Sequence, residues 1–111
     1  MVVEGLIFNG WRKDFWKDLA RIDGKVIFCC ERFIPRFVIF IPRISAIITK
    51  ERGSLSHAAI VSKEFGILVF RTDSLDKILE YEGKRGVIIK ENSMYYLIIE
   101  SAKLRFPLER M

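Results

Sequence analysis

Short apolar runs alternate along the chain with stretches in which apolar residues recur every three or four positions, and polar turn residues separate the two kinds of segment. Val2 to Phe8 reads as a strand closed by the turn dipeptide Asn9-Gly10. From Asp14 to Ile22, the residues Phe15, Leu19 and Ile22 take helical spacing, with Asp14 placed to cap the first turn and Asp23-Gly24 to end the helix. Lys25 to Cys30 reads as a buried strand, Ile34 to Ile41 as a short helix or turn bounded by Pro35 and Pro42, and Ser45 to Thr49 as a further β-rich run.

Ser56 to Phe65 is the best-delimited helix, with Lys63 and Glu64 outward and Gly66 where a helix stop belongs. Ile67 to Phe70 is a continuous apolar run of the kind buried on both faces of a sheet. Thr72-Asp73-Ser74 supplies capping residues before Leu75, Ile78 and Leu79, again at helical spacing. Gly86 to Lys90 and Met94 to Glu100 flank Glu91-Asn92-Ser93 and predict a hairpin, whereas Ser101 to Met111, with one proline and several charges, is weakly specified. Strands alternating with helices predict an α/β domain with partly parallel pairing.

With 111 residues and no repeat, low-complexity tract or linker, residues 1–111 are expected to form a single domain. Half the residues are hydrophobic and nine are Phe, ample material for a core and unlike a disordered chain. No apolar run approaches the roughly 18 to 20 residues of a membrane span, and Met1-Val2-Val3-Glu4 does not look like a secretory signal, so a cytoplasmic location is expected. The net charge of +5 favours acidic or phosphorylated partners, but the basic residues are scattered and form no nucleic-acid motif. On a strand, the adjacent Cys29 and Cys30 would point to opposite faces, which argues for two core residues rather than a disulfide. With one His and no further Cys in the chain, no metal site is expected.

That single histidine, His57, falls where the loop from Thr49 meets the start of the predicted helix. Free backbone N–H groups and the positive end of the helix dipole stabilise an anion at such a place. Ser54 and Ser56 are near enough in sequence to donate hydroxyl hydrogen bonds to phosphate oxygens, and Gly53 lets the backbone approach. Neutral imidazole is a nucleophile near physiological pH, and its phosphoramidate passes the phosphoryl group onward. A lone histidine beginning a helix is also an ordinary polar surface residue, and the local chemistry does not choose between the two.

The run Thr49-Lys50-Glu51-Arg52-Gly53-Ser54-Leu55-Ser56-His57-Ala58-Ala59-Ile60-Val61-Ser62-Lys63-Glu64-Phe65-Gly66-Ile67 resembles the signature of the swivelling phosphohistidine domain of phosphoenolpyruvate-utilising enzymes, a family that includes pyruvate phosphate dikinase, phosphoenolpyruvate synthase and enzyme I of the sugar phosphotransferase system. The family motif runs approximately Thr, two variable residues, Gly-Gly, two variable residues, Ser-His-Ala-Ala-Ile-Val-Ala-Arg-Glu, one variable residue, Gly-Ile-Pro. The resemblance covers most of residues 25 to 98 and implies a three-layer β/β/α swivelling fold. It implies that His57 is phosphorylated, and it matches Ser56, Gly53 and Thr49 to the positions around it. Arg52 stands in place of the first loop glycine, Phe33 in place of a threonine, Lys63 in place of an arginine and Leu68 in place of a proline, while Arg32 keeps a basic turn residue.

Three readings of function follow. In the first, a stand-alone domain carries a phosphoryl group on His57, held by Gly53, Ser54, Ser56, Arg32, Arg52 and Thr49, without a cofactor. A chain of 111 residues cannot also hold the domains that do the chemistry in the large family enzymes, so the carrier needs a separate nucleotide- or phosphoenolpyruvate-binding phosphotransfer protein. In the second, the fold persists as a non-catalytic binding or assembly module, for which Phe33 and Arg52 are the argument. A minor third, nucleic-acid or nucleotide binding, rests on charge and aromatic content alone. The aromatic segment Trp11 to Trp16 reads as core residues or as a docking surface.

Overall fold

The apolar runs predicted as strands pair side by side, and the chain's tail joins them to close the sheet on itself. In the computed structural model, which describes residues 3–52 and 57–111, β1 (Val3–Asn9), β2 (Val26–Cys30), β3 (Ile44–Thr49) and β4 (Leu68–Arg71) lie side by side in parallel. The strands β5 (Arg85–Glu91), β6 (Met94–Ile99) and β7 (Leu104–Arg110) pair antiparallel and complete a closed barrel of order β1-β2-β3-β4-β7-β6-β5. The short helix α1 (Phe15–Leu19) and a 3₁₀ segment (Pro35–Arg43) connect the first three strands, α2 (His57–Phe65) joins β3 to β4, and α3 (Leu75–Leu79) joins β4 to β5.

The predicted mixed α/β character with partly parallel pairing is present, but the three stacked layers implied by the resemblance are replaced by a closed barrel. The cause lies in the tail. Leu104, Phe106 and Leu108 alternate with Arg105, Pro107 and Glu109, and β7 pairs with both β6 and β4, leaving no open edge between them. Asp14 precedes α1 as expected, but its backbone is left-handed, with φ of 59°, and its side chain makes no capping bond; the helix also ends at Leu19, short of Ile22.

Period-two alternation divides the interior into two clusters. One face of each strand contributes to a barrel core of Ile7, Ile27, Ala46, Ile48, Phe70, Ile88, Leu97, Ile99 and Leu108, joined by Leu75 and Ile78 of α3. The other face of β1 to β4 supplies Phe8, Phe28, Ile47 and Val69 to a second core against Phe15, Phe37, Ala58 and Val61 from the helical segments. Cys29 falls in the barrel core and Cys30 in the second, both as free thiols. Burial pushes the Cys29 thiol up to about 12 and raises the Cys30 thiol well above the usual range. Gly10 cannot carry a side chain, because a Cβ there would meet the Phe28 ring at 2.1 Å. Gly66, at φ of +65°, supplies the left-handed residue that ends α2.

Candidate functional site

Parallel strands deliver their following loops to one edge of the sheet, which is where such folds place ligand sites. At this edge β2 is followed by Glu31, Arg32 and Phe33, β3 by Lys50, Glu51 and Arg52, and β4 by Thr72 and Asp73. Thr49 ties the loops together. Its hydroxyl donates to the Glu31 carbonyl (2.8 Å) and accepts from the Glu51 N–H (3.1 Å), while its own carbonyl accepts from the Thr72 N–H (2.9 Å). Thr49 is fully buried, so its hydroxyl is occupied by backbone groups and is not offered to an anion as the resemblance implied. Its position matters because it fixes where the β3 loop leaves the sheet.

His57 is the first residue of α2 and is half-buried. Its ring stacks on Phe33, with centroids 5.9 Å apart and planes 18° from parallel. Phe33 is itself anchored: it is 1% exposed, meets Phe28 and Phe37 edge-on, and its N–H donates to a Glu51 carboxylate oxygen at 3.2 Å. The residue that departs most plainly from the family pattern is therefore the platform on which the histidine rests. The histidine Nε2 is buried and has no hydrogen-bond partner among the described residues. A buried nitrogen without a partner costs roughly 1–3 kcal/mol of desolvation, so the ring gains by any movement that brings that atom to a partner.

The expected phosphate ligands are distributed rather than gathered. Arg32 is exposed and lines a groove of about 290 Å³ with Trp11, Glu31, Lys50 and Glu51. Arg52 is exposed and lines a separate cleft of about 420 Å³, with a long contact of 3.9 Å to Asp73. Glu51 borders both. Gly53, Ser54 and Ser56 lie outside the described residues. Of the aromatic segment, Phe15 is buried, as a core residue would be, whereas Trp11 and Trp16 remain 39% and 48% exposed.

Sequence reasoning missed Arg71. It closes β4, is only 7% exposed, and lines the same cleft as Arg52. The available signal was an arginine placed directly after the apolar run Ile67 to Phe70, where a buried parallel strand ends and its loop begins. No helix among the described residues is long and apolar enough to cross a membrane. Among those residues no group of three or more His, Cys, Asp or Glu side chains could hold a metal ion.

Residues 22–90 match the family described as PEP-utilising enzyme, mobile domain. The match spans more than half the chain and contains β2 to β4, α2 and His57. No curated protein matches the chain.

Proposed function

We propose, from the premise that this chain belongs to the PEP-utilising enzyme mobile-domain family, that it is a phosphoryl carrier and that His57 is the acceptor. One observation carries the reading: the chain's one histidine begins α2, at the edge of the sheet where the loops after β2, β3 and β4 converge. In the forward step the lone pair of an imidazole nitrogen attacks the donor's phosphorus. A P–N bond forms, the donor's P–O bond breaks with its electron pair leaving on oxygen, and the imidazole proton passes to that oxygen or to water. Transfer to an acceptor reverses these events. The exposed guanidinium group of Arg32, with the loop residues Gly53, Ser54 and Ser56, supplies charge and hydrogen bonds for the phosphoryl oxygens, while Arg52 lines the cleft on the other flank of α2. Thr49 acts through the backbone it holds. Donor and acceptor are separate phosphotransfer proteins between which this domain swivels.

A second reading, a binding module that has given up phosphotransfer, is favoured by a specific observation: Nε2 is enclosed and the ring lies flat on Phe33. Under the carrier reading, attack through Nε2 first requires the ring to leave that stack. Incubation of the purified chain with phosphoenolpyruvate or ATP and host extract separates the two. A carrier yields an acid-labile, alkali-stable phosphoryl adduct that maps to His57 and disappears in His57→Ala. A module yields no adduct with either donor.

A further inference from the structure

On the flank of α2 away from His57, the cleft of about 420 Å³ is built from α2, the loop after β3, and the ends of β4 and β7. Four cations line it, Arg52, Lys63, Arg71 and Arg110, against the two carboxylates Glu51 and Glu109. Glu51 is already bonded to the Phe33 N–H. Helical spacing places Ala59, Ser62 and Lys63 more than 100° around α2 from His57, so this is a different face of the helix.

Arg71 makes the cleft more than a patch of surface charge. Its side chain is 8% exposed, and a guanidinium stays protonated under all ordinary conditions, so burial demands countercharge. The countercharge present is incomplete. Nη2 donates to Asp73, Glu109 stands 3.7 Å from Nη1, and Nε is buried with no acceptor among the described residues. Both carboxylates are largely in water, with side chains 78% and 69% exposed, and Asp73 also faces Arg52. Solvent screening weakens what they offer. The nearby Arg71 guanidinium holds the Asp73 carboxyl below its usual range, which marks the direction of the local field.

We infer that this cleft binds a phosphate group, with Arg71 as its buried floor, Arg52 closing over the oxygens from the solvent side, and Lys63 and Arg110 at the rim. The planar fork of arginine suits paired phosphate oxygens, and an incoming dianion would displace the loosely held Glu109 from Nη1. Ala59 and Met111 form an apolar wall beside these charges, where the organic part of a phosphate ester would rest.

The test is an amide-detected NMR titration of the full chain at constant ionic strength, with inorganic phosphate in one arm and phenyl phosphate in the other. Saturable shifts are expected at Lys63, Arg71 and Arg110, with affinity reduced at least fivefold in Arg52→Gln. Phenyl phosphate binding more tightly assigns the cleft to a phosphate ester, and equal affinities assign it to free phosphate. Shifts that grow linearly with concentration, that chloride reproduces, or that persist unchanged in Arg52→Gln overturn the inference. Arg71→Gln adds a second check if it folds, with binding abolished. No phosphoryl transfer is involved, so failure here leaves the His57 proposal to its own experiment.

Discussion

Replacing Phe33 with leucine probes the contact that departs most from the family pattern. Leucine keeps the site apolar but removes a ring that sits 6.1 Å from Phe28, 5.4 Å from Phe37 and 5.9 Å from His57, centroid to centroid. Each such aromatic pair is worth about 0.5–1.5 kcal/mol beyond its buried area, and pairs that share one ring do not add fully. The expected loss is therefore about 1.5–3 kcal/mol from a total of roughly 5–15, which leaves the variant folded at room temperature. At about 4 °C per kcal/mol for a domain of this size, Tm falls by about 6–12 °C. The second readout is the rate at which diethyl pyrocarbonate modifies the chain's one histidine. With its platform gone, Nε2 becomes accessible and modification accelerates several-fold. A Tm within about 1 °C of the parent, or an unchanged modification rate, would refute the claim that this stack holds the histidine.

Two further outcomes test the frame around the site. Thr49→Val removes a buried hydroxyl that serves two backbone groups, at an expected cost of about 1–3 kcal/mol, read as a lower urea midpoint with an unchanged slope. An unaltered midpoint would mean that the loops after β2 and β3 are not tied through it. The two thiols supply a pH test. Both folded values are raised from 9.0, so the stability they contribute is fully present below about 9 and is lost as the pH climbs, toward about 12 in the case of Cys29. Denaturation midpoints should fall over that alkaline window and fall less in Cys29→Ala compared with its own neutral-pH value. Iodoacetamide labelling of either thiol in the native state at pH 8 would contradict their burial.

Much of this fold is legible in the chain because the parallel strands are continuous apolar runs and α2 ends at a glycine. The tail was harder to read: Pro107 and four charged residues obscure the alternation of Leu104, Phe106 and Leu108, and its end closes the sheet by pairing Glu109 and Arg110 with β4, far away in sequence. Asp14 has the composition of a cap but not its backbone geometry, which local sequence does not determine. At the site, position explains more than residue type does. Thr49 has the chemistry of a phosphate ligand, yet its depth commits the hydroxyl to the backbone. Phe33 looked like the loss of a hydroxyl, and only the three-dimensional arrangement shows it stacked under His57. The same stack makes the ring half-buried rather than an ordinary polar surface side chain.

Whether His57 accepts a phosphoryl group can be measured without a partner protein. Potassium phosphoramidate, a small donor that phosphorylates accessible histidines, is added to the folded chain, and the product is followed by phosphorus NMR and peptide mapping. One phosphohistidine resonance is expected, located at His57, formed under native conditions and absent in His57→Ala. A histidine that stays unmodified until the chain is unfolded would contradict this expectation.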